Sequence, residues 1–293
     1  MDAVITYVDG SVPEWQDSWT KTIGRPQQSV RFREWGTLRY LLRGIEANMP
    51  FIGNVFLVVS HRSQVPAWVN CRNVRIILHR DIIPEELLPT FNSNTIEFFF
   101  HNIPGIAQQF VYFNDDILPV APCCPEDFFA EGKVRSKVNV ARNAHTMFQH
   151  YCRNASELAL ELAGKPSLPG KDFFRIRHSA TPMLLDLYRD VVERGHDRLW
   201  MSFTRLRDYI NICQHIFVFY ADLVGRCSGE PISNRYIGLS GATAGVAAQA
   251  ILRPTEKLLC LNDCCSQEQY ISVKSTVDAA FSRRFPEKCR FEI

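Results

Sequence analysis

Two adjacent carboxylates end a short apolar run near the middle of the sequence. The run 110–113 is followed directly by Asn114, Asp115 and Asp116. Neighbouring carboxylates repel each other and raise each other's pKa unless a cation lies between them. Mg²⁺ and Mn²⁺ take oxygen ligands and also contact substrate phosphates, so the pattern indicates a divalent metal site. A solvated turn is the alternative, because Asn and Asp are common turn residues.

Two further aspartates stand at the ends of predicted strands. Asp9 follows the apolar, β-branched run 3–8. Asn262 and Asp263 follow the short run 257–261. Ligands of open α/β sheets bind beyond the carboxyl ends of the strands, so we expect Asp9 and the triplet Asn114–Asp116 to meet in one crevice, and Asn262 with Asp263 forms a third acidic strand end. A turn or helix-cap role is the alternative for each, although three such positions fit a binding site better.

Basic residues that could neutralise a diphosphate precede a predicted helix. Arg31 and Arg33 come before the amphipathic pattern 38–45, and the N-terminus of a helix attracts anions. His178 closes the basic stretch 175–178 and suits a general base, with a rate that falls on the acid side near the ordinary pKa of histidine. A structural role is the alternative for this histidine and for both arginines.

The first part of the chain alternates predicted strands and helices. Strands are expected at 55–59, 74–78 and 110–113, and a helix at 92–101. This alternation over residues 1–135 is typical of a Rossmann-like α/β fold with a parallel-rich sheet.

The second part of the chain is mainly helical in pattern. Residues 209–224 predict a buried helix, and residues 231–243 predict a connection rich in Gly and Ser. A last short strand and a helix at 272–285 follow. We therefore predict that residues 1–135 and 231–293 form one α/β core, with a helical insertion at 136–230.

The composition excludes several classes of protein. Of 293 residues, 46% are hydrophobic and 22% charged, which suffices for a packed core and is too apolar for disorder. Lys plus Arg number 33 against 31 Asp plus Glu, so we expect no nucleic-acid partner. The N-terminus lacks a signal-peptide pattern and no run is long enough to span a membrane. We expect a cytoplasmic protein, at most peripheral to the inner membrane.

The ten cysteines do not have the spacing of a structural zinc site. Two adjacent pairs occur, Cys123–Cys124 and Cys264–Cys265, but no paired C-x-x-C sets. Reduced, partly buried thiols are therefore the interpretation we favour.

With these residues identified, the sequence resembles the Stealth family. That family includes bacterial capsular polysaccharide phosphotransferases and the catalytic part of the eukaryotic N-acetylglucosamine-1-phosphotransferase. Four blocks of similarity occur in the family's order, and the second is the longest and most specific. The blocks are Asp2–Trp15, most of Arg31–Phe129, His178–Pro182 with a segment at 203–211, and Leu259–Asp263.

The resemblance implies transfer of a sugar-1-phosphate from a nucleotide-sugar, such as a UDP-sugar, to a carbohydrate hydroxyl. The product would be a phosphodiester in capsule or exopolysaccharide synthesis, with Mg²⁺ or Mn²⁺ as the cofactor and a nucleoside monophosphate released. The family's catalytic positions carry over to Asp9, His178, Arg205 and Asp263. The expected metal ligands are Asp115, Asp116 and Asp263. The expected substrate-binding residues are Gly10, Arg31, Arg33, Asn92, Ser93, His101, Asn114 and Asn262.

Several alternatives stay open. A metal-dependent glycosyltransferase would use the same donor but release a nucleoside diphosphate. A non-catalytic carbohydrate-binding module would hold a structural cation and turn over no donor. The family places an arginine four residues before an aspartate, and neither Arg205 nor Arg207 has that spacing to Asp208. The compact chain lacks room for the accessory modules of the eukaryotic enzyme, which favours a bacterial polysaccharide role.

Overall fold

The computed structural model describes residues 1–27 and 30–293. Within these residues the chain forms thirteen strands and ten α-helices. The strands are β1 (Asp2–Thr6), β2 (Val55–Val59), β3 (Val74–Leu78), β4 (Gln109–Asn114), β5 (Ile117–Pro119), β6 (Phe129–Ala130), β7 (Lys133–Arg135), β8 (Asn139–Arg142), β9 (Asp172–Arg175), β10 (Thr181–Leu184), β11 (Cys227–Ser228), β12 (Asn234–Leu239) and β13 (Leu258–Asp263). The helices are α1 (Pro13–Ile23), α2 (Thr37–Asn48), α3 (His79–Ile82), α4 (Ser93–Ile96), α5 (Met147–Leu162), α6 (Leu185–Arg194), α7 (His196–Ser202), α8 (Ile216–Leu223), α9 (Ala244–Leu252) and α10 (Gln267–Arg284).

A five-stranded sheet lies at the centre of the molecule, in the order β10-β4-β1-β2-β3. β1 pairs in parallel with β2 and β4, and β2 with β3, whereas β10 runs antiparallel to β4. Every residue of β2 is buried, which is the pattern of a parallel sheet covered by helices on both faces. The predicted parallel-rich α/β fold is confirmed.

A second sheet, in the order β12-β13-β5, adjoins the first. The chain passes from β4 to β5 through the two-residue turn Asp115–Asp116. β13 is parallel to β12 and antiparallel to β5, and Leu261 N donates to Asp116 O at 2.9 Å. The turn between the sheets therefore lies next to the last residues of β13.

Two apolar cores cover the opposite faces of the central sheet, because successive side chains of a strand point in opposite directions. Ala3 and Ile5 belong to the core formed with α2, α9 and α10, whereas Val4 belongs to the core formed with α5, α6 and α8. The apolar stripe of α2 is buried completely, and each fully buried Leu or Ile contributes about 1.5–3 kcal/mol. Its members are Leu38, Leu41, Leu42 and Ile45.

Most of the predicted core elements coincide with observed ones. β2 and β3 have the predicted bounds, and β4 extends the predicted strand by one residue at each end. α2 contains the predicted amphipathic pattern, and α10 overlaps most of the predicted C-terminal helix. Strong periodicity and uninterrupted apolar runs were thus sufficient signals for these elements.

The helix predicted at 92–101 is wrong beyond its first turn, since α4 ends at Ile96. Three consecutive phenylalanines follow, Phe98 to Phe100, and all three are buried. One helical face cannot bury three consecutive side chains, so the chain leaves the helix and turns.

Two further predictions at 209–243 need correction. The buried helix predicted at 209–224 starts only at Ile216. Asn211, Gln214 and His215 are buried polar residues, and side chains of this kind fold the chain around local hydrogen bonds instead of a helix. The connection predicted at 231–243 contains β12, which is formed by long-range pairing with β13.

Residues 136–230 contain four α-helices and also contribute to the central sheet. They contain α5 to α8 and supply β10, the antiparallel edge strand beside β4. The division into a core and an insertion stays a prediction. Among the described residues, no helix has the length and apolar character needed to cross a membrane.

Candidate functional site

The carboxyl edge of the central sheet collects most of the predicted site residues. Thr6 of β1 pairs with Asn114 of β4, so the segments after these two parallel strands leave side by side. β10 runs in the opposite direction, with Thr181 beside Tyr112. His178, which precedes β10, therefore lies over the same edge.

Asp116 lies where the two sheets meet. A carboxylate oxygen of Asp116, a ring nitrogen of His178 and Cys260 Sγ lie within 4.8 Å of one another. Asp116 Oδ1 is buried without a hydrogen-bond partner among residues 1–27 and 30–293. Burial raises the pKa of Asp116 to about 6. A buried oxygen of this kind needs a proton or a cation.

Asp115, the other residue of the acidic turn, has acidic neighbours. Burial, then the charges of Asp116 and Glu34, raise the pKa of Asp115 to about 8. Glu34 also hydrogen-bonds Tyr7, whose pKa is raised mainly by burial. Carboxylate oxygens are the ligands that Mg²⁺ and Mn²⁺ take, and a cation would remove the repulsion. The residues present therefore fit a divalent cation held at the acidic turn.

Asp9 lines a cleft of about 330 Å³ that also contains Tyr40 and Trp68. Its backbone is clamped by Gln64, because Asp9 N donates to Gln64 Oε1 at 2.6 Å and Gln64 Nε2 donates to Asp9 O at 3.0 Å. Asp9 Oδ1 accepts from the backbone N and the hydroxyl of Ser11 at 2.8 and 2.6 Å. The carboxylate is thus held in one orientation beside the cleft.

Gly10 brings the basic segment at 31–33 against the end of β1. A Cβ atom at Gly10 would lie 2.6 Å from Phe32 O, and Gly10 N donates to the same oxygen at 2.8 Å. Only glycine leaves room for this contact. Gly10 therefore acts through a close backbone approach that positions the two arginines flanking Phe32.

Asp263 is hydrogen-bonded on both carboxylate oxygens. Oδ1 accepts from Cys265 N at 2.9 Å. Oδ2 accepts from Trp35 Nε1 at 3.2 Å and pairs with Arg33 at 3.5 Å. Arg33 also donates to Cys265 O at 3.2 Å. Asp263 is therefore already neutralised by protein groups and anchors Arg33.

The alternation of side chains along β13 separates Asp263 from Asp116. Cys260 and Asn262 share one face of the strand, and Asp263 lies on the other. Cys260 approaches Asp116, and Asn262 is hydrogen-bonded to Tyr236 on the same face. The metal-binding role expected of Asp263 stays a prediction, and its observed partner is an arginine.

His178 is half-buried beside positive groups. Burial, then the charges of His215 and Arg207, lower the pKa of His178 to about 4. Asn234 Nδ2 donates to His178 O at 2.7 Å and fixes the loop before β10. The imidazole is therefore neutral at pH 7, which is the protonation state that a general base requires. The acid limb expected near the ordinary pKa of histidine moves to lower pH.

Arg207 contacts or acts on three other predicted site residues. Arg207 Nη2 donates to Ser93 Oγ at 2.7 Å, and its charge acts on His178 and Arg31. Burial and the charge of Arg207 lower the pKa of Arg31. The side chains of both arginines, Arg205 and Arg207, are exposed, so these contacts and not burial distinguish Arg207. Two arginines close enough to repel each other are suited to binding an anion between them.

Asn92 acts within the protein. Its side chain is completely buried. Asn92 Nδ2 donates to Thr204 O at 3.1 Å and to Asn211 Oδ1 at 3.0 Å. The residue therefore ties the start of α4 to the segment that carries Arg207, and it positions that arginine without an exposed surface of its own.

His101 lies away from the acidic turn. Its ring packs against Tyr188 of α6, with centroids 5.5 Å apart. α6 begins where Leu185 N donates to Gln108 O, next to the amino end of β4. The structure therefore does not bring His101 to the carboxyl edge of the sheet.

A buried polar chain supports Asn114 from behind the sheet. Asn114 Nδ2 donates to Tyr112 Oη at 3.0 Å, and Tyr112 Oη donates to Glu97 Oε1 at 2.8 Å. Burial raises the pKa of Glu97 to about 7. Tyr112 and Asn114 share a face of β4 because they are two residues apart. Their hydrogen bond is therefore the one contact of this network that the sequence pattern indicates.

Sequence reasoning missed Glu34 and Cys260 as site residues. Glu34 directly follows Arg33, and Cys260 stands two residues before Asn262. Adjacency to one predicted residue and the period of two along a strand were therefore the available signals. Neither residue type is distinctive enough to be chosen without the fold.

Part of the sequence matches a known protein family. Residues 31–137 match the family described as Stealth protein CR2, conserved region 2. Over these residues the chain is similar to the second conserved region of the Stealth proteins. The resemblance found in the sequence is thus confirmed over a range that contains Arg31, Arg33, Glu34 and the acidic turn.

Curated relatives are named as polysaccharide phosphotransferases. A capsular polysaccharide phosphotransferase of Streptococcus pneumoniae is 38% identical over 45% of this chain and 42% of its own length. An exopolysaccharide phosphotransferase of Lactiplantibacillus plantarum is 40% identical over 45% of this chain and 40% of its own. An exopolysaccharide phosphotransferase of Streptomyces coelicolor is 29% identical over 100% of this chain and 57% of its own. The chain thus spans about half the length of these relatives.

Two solved structures are also similar to this chain. One is a galactosyltransferase in complex with donor and acceptor sugar analogues, with a TM-score of 0.40 and 11% identity over 95% of this chain and 96% of that one. The other is mouse xyloside xylosyltransferase 1 in its apo form, with a TM-score of 0.40 and 12% identity over 90% of this chain and 97% of that one. At this degree of similarity neither structure assigns an activity.

Proposed function

We propose that this chain transfers a sugar-1-phosphate from a nucleotide-sugar to a carbohydrate hydroxyl. The observation that carries the proposal is the acidic turn beside a basic group. Asp116 lies close to His178, and Arg207 lies close enough to lower the pKa of that histidine. A carboxylate pair suited to a cation, next to arginines and a neutral imidazole, can hold a diphosphate and accept a proton. The names of the relatives support the same reaction.

The charge of the donor would be held from two sides. Asp115 and Asp116 would hold Mg²⁺ or Mn²⁺, which when bound neutralises charge on the phosphates. Arg207 and Arg31 would bind phosphate oxygens from the basic side, because a guanidinium offers several donors in a fixed geometry. Phosphoryl transfer depends mainly on such positioning and electrostatic stabilisation.

His178 would act as the general base. The acceptor oxygen attacks the phosphorus bonded to the sugar, while a ring nitrogen of His178 takes the hydroxyl proton. The bond from that phosphorus to the bridging oxygen breaks, and the nucleoside monophosphate leaves. General base catalysis of this kind contributes about 10²- to 10⁴-fold.

The cleft beside Asp9 is the proposed position of the nucleotide part of the donor. Its volume of about 330 Å³ is within the range of small-molecule sites. Trp68 and Tyr40 line it, and aromatic rings of this kind can pack against a planar base. Asp9, held rigid by Ser11 and Gln64, would then contact the sugar or phosphate portion.

The test is product analysis with a panel of nucleotide-sugars and glycan acceptors, in Mn²⁺ or Mg²⁺ and in excess chelator. We expect release of a nucleoside monophosphate, a phosphodiester signal in the phosphorus NMR spectrum of the product, and loss of activity in chelator. Asp116→Asn is the variant that should lose most of the activity and need a higher Mn²⁺ concentration for half-maximal rate.

Other outcomes would assign the protein differently. A phosphorus-free product with released nucleoside diphosphate would identify a glycosyltransferase. Carbohydrate binding without turnover of any donor would indicate a binding module. Full activity in chelator would remove the cation from the reaction. The cytoplasmic location and the peripheral membrane association stay predictions beside this proposal.

A further inference from the structure

A second group of metal-binding side chains lies in the helical part of the chain, outside the proposed catalytic site. Cys152 belongs to α5, and Cys213 and His215 belong to the irregular segment before α8. The two cysteines are 61 positions apart along the chain. All three side chains are buried, and no more than 2% of any of them is exposed. The fold, and not local sequence, therefore brings these donors together.

The three donor atoms already have the spacing of metal ligands. Cys152 Sγ lies 3.9 Å from Cys213 Sγ and 3.9 Å from His215 Nδ1, and all three atoms lie within 4.8 Å of one another. A tetrahedral ion with zinc–sulfur bonds of about 2.3 Å places two sulfur ligands roughly 3.8 Å apart. The sulfur–sulfur distance is also far too long for a disulfide, so both cysteines are thiols.

The surroundings hold these donors in place. The rings of Phe148 and Phe219 pack edge-on against His215, with centroids 5.5 and 6.1 Å away. The segment is also tied to α5 next to Cys152, because Asn154 Nδ2 donates to Asn211 O at 2.9 Å. The orientation needed for binding is thus set before any ion arrives.

The simpler alternative is a pair of buried thiols, with a weak S–H···N hydrogen bond between a thiol and the imidazole. That alternative accounts for burial, because free cysteines often lie in cores. It gives no reason for three donor atoms of two residue types to converge at ligand spacing. Two sulfurs and an imidazole are the donors that zinc takes and that Mg²⁺ avoids.

We propose that Cys152, Cys213 and His215 bind one Zn²⁺ ion, which fastens the segment before α8 to α5. A fourth ligand, such as water, would complete the tetrahedron. The same segment follows Arg207 along the chain, so the ion would also help to hold the backbone that positions Arg207. The zinc proposal does not depend on the proposed reaction, and His215 lies close enough to His178 for its charge to lower the pKa of that histidine.

The experiment is a titration of the full chain with Co²⁺ and then Zn²⁺, after removal of metal under reducing, oxygen-free conditions. We expect thiolate-to-cobalt absorption of the intensity given by two sulfur ligands, saturating at about one ion per chain, and its loss when Zn²⁺ displaces Co²⁺. Elemental analysis of the protein purified from zinc-containing medium should find about one zinc per chain. Zinc should also raise the melting temperature.

Variants assign the ligands. Cys152→Ser and Cys213→Ser should each remove about half or more of the absorption and weaken zinc binding by about tenfold or more. Cys71→Ser, an exposed cysteine far from this group, is the matched control and should behave as the wild type. Cys260→Ser should also keep the signal, which separates this site from the group around Asp116.

Each opposite result would overturn the proposal. If the wild-type protein gives no thiolate-to-cobalt absorption, the zinc proposal is wrong. This result needs no variant, so the test remains decisive even if a variant fails to fold. Loss of the absorption in Cys260→Ser, with retention in Cys152→Ser, would place the ion at Asp116. A disulfide between Cys152 and Cys213, found by non-reducing peptide mapping of freshly purified metal-free protein, would replace the zinc site by an oxidised pair.

Discussion

The two Asn-Asp strand ends of this protein look alike in sequence and differ in structure. At the end of β13, both oxygens of Asp263 are occupied by protein groups, including Arg33. At the end of β4, Asp116 keeps a buried oxygen without a partner among the described residues, and Asp115 has a pKa raised to about 8. One end is neutralised from within, and the other requires a proton or a cation.

The difference shows what decides the role of an acidic turn. Both ends are Asn-Asp sequences after an apolar strand, so residue type does not separate them. The neighbours do, because Arg33 reaches one end and Glu34, the next residue, reaches the other. Four measurements test whether the two strand ends differ in this way.

The largest effect is expected at His178, which lies on the Asp116 side. His178→Gln should lower turnover by about 10²- to 10⁴-fold while the fold persists in circular dichroism. The wild-type acid limb should lie below the ordinary histidine range, since the pKa of His178 is lowered to about 4. Arg207→Ala should move that limb to higher pH, because the arginine disfavours protonation. An acid limb of the rate profile near the ordinary pKa of histidine, unchanged in Arg207→Ala, would contradict this account.

The next effect compares the two aspartates directly. Asp116→Asn should lower turnover about 100-fold and raise the Mn²⁺ concentration for half-maximal rate, because it removes a proposed cation ligand. Asp263→Asn should lower turnover only about tenfold, roughly 1.4 kcal/mol of barrier, by releasing Arg33, and should leave the Mn²⁺ requirement unchanged. Equal shifts of the Mn²⁺ requirement in both variants would make Asp263 a ligand and erase the contrast.

A smaller effect separates the two candidate arginines. Arg207→Ala should raise KM for the donor or lower turnover by about tenfold, since a hydrogen bond to a charged group contributes about 1.5–3 kcal/mol. Arg205→Ala should change either value by less than about twofold, because the proposal gives the Arg205 side chain no contact with the donor. Steady-state kinetics with the active donor decides between them. The reverse ranking would restore the family-based assignment to Arg205.

The N-terminal strands and α2 were predictable because their signals are local. Val55–Val59 is an uninterrupted apolar run, and Leu38–Ile45 has a helical period. β12 was missed because its strand state arises from pairing with β13, a long-range contact that leaves a weak local pattern.

The same distinction holds for the site. Asp9, Asp115 and His178 could be named as candidates because strand ends and basic loops are visible in sequence, and their roles stay predictions. The contact between Cys152 and Cys213 and the ion pair between Arg33 and Asp263 could not be predicted from sequence, because each joins residues that are remote along the chain.

The smallest effect concerns the stability of the metal-free protein between about pH 6.5 and 8. Folded Asp115 has a pKa of about 8, well above that of an unfolded aspartate, so the folded state binds a proton that the unfolded state lacks. Stability therefore falls as pH rises through this window. His178, with its lowered pKa, is partly protonated only in the unfolded state near pH 6.5, so it adds a smaller slope of opposite sign that fades above about pH 7.5. We expect a loss of about 1 kcal/mol in the free energy of unfolding, measured by chemical denaturation in chelator.

The controls for this slope isolate the acidic turn. Glu97, whose pKa burial raises to about 7, adds a slope of the same sign, so Asp115→Asn is compared with Glu97→Gln. Mn²⁺ should remove only the part of the slope that Asp115 contributes, because a bound cation displaces the proton. Glu97→Gln should keep the response to Mn²⁺, and Asp115→Asn should lose it. If Mn²⁺ leaves the wild-type slope unchanged, the turn holds its proton rather than a cation, and it no longer differs from Asp263 in needing a metal.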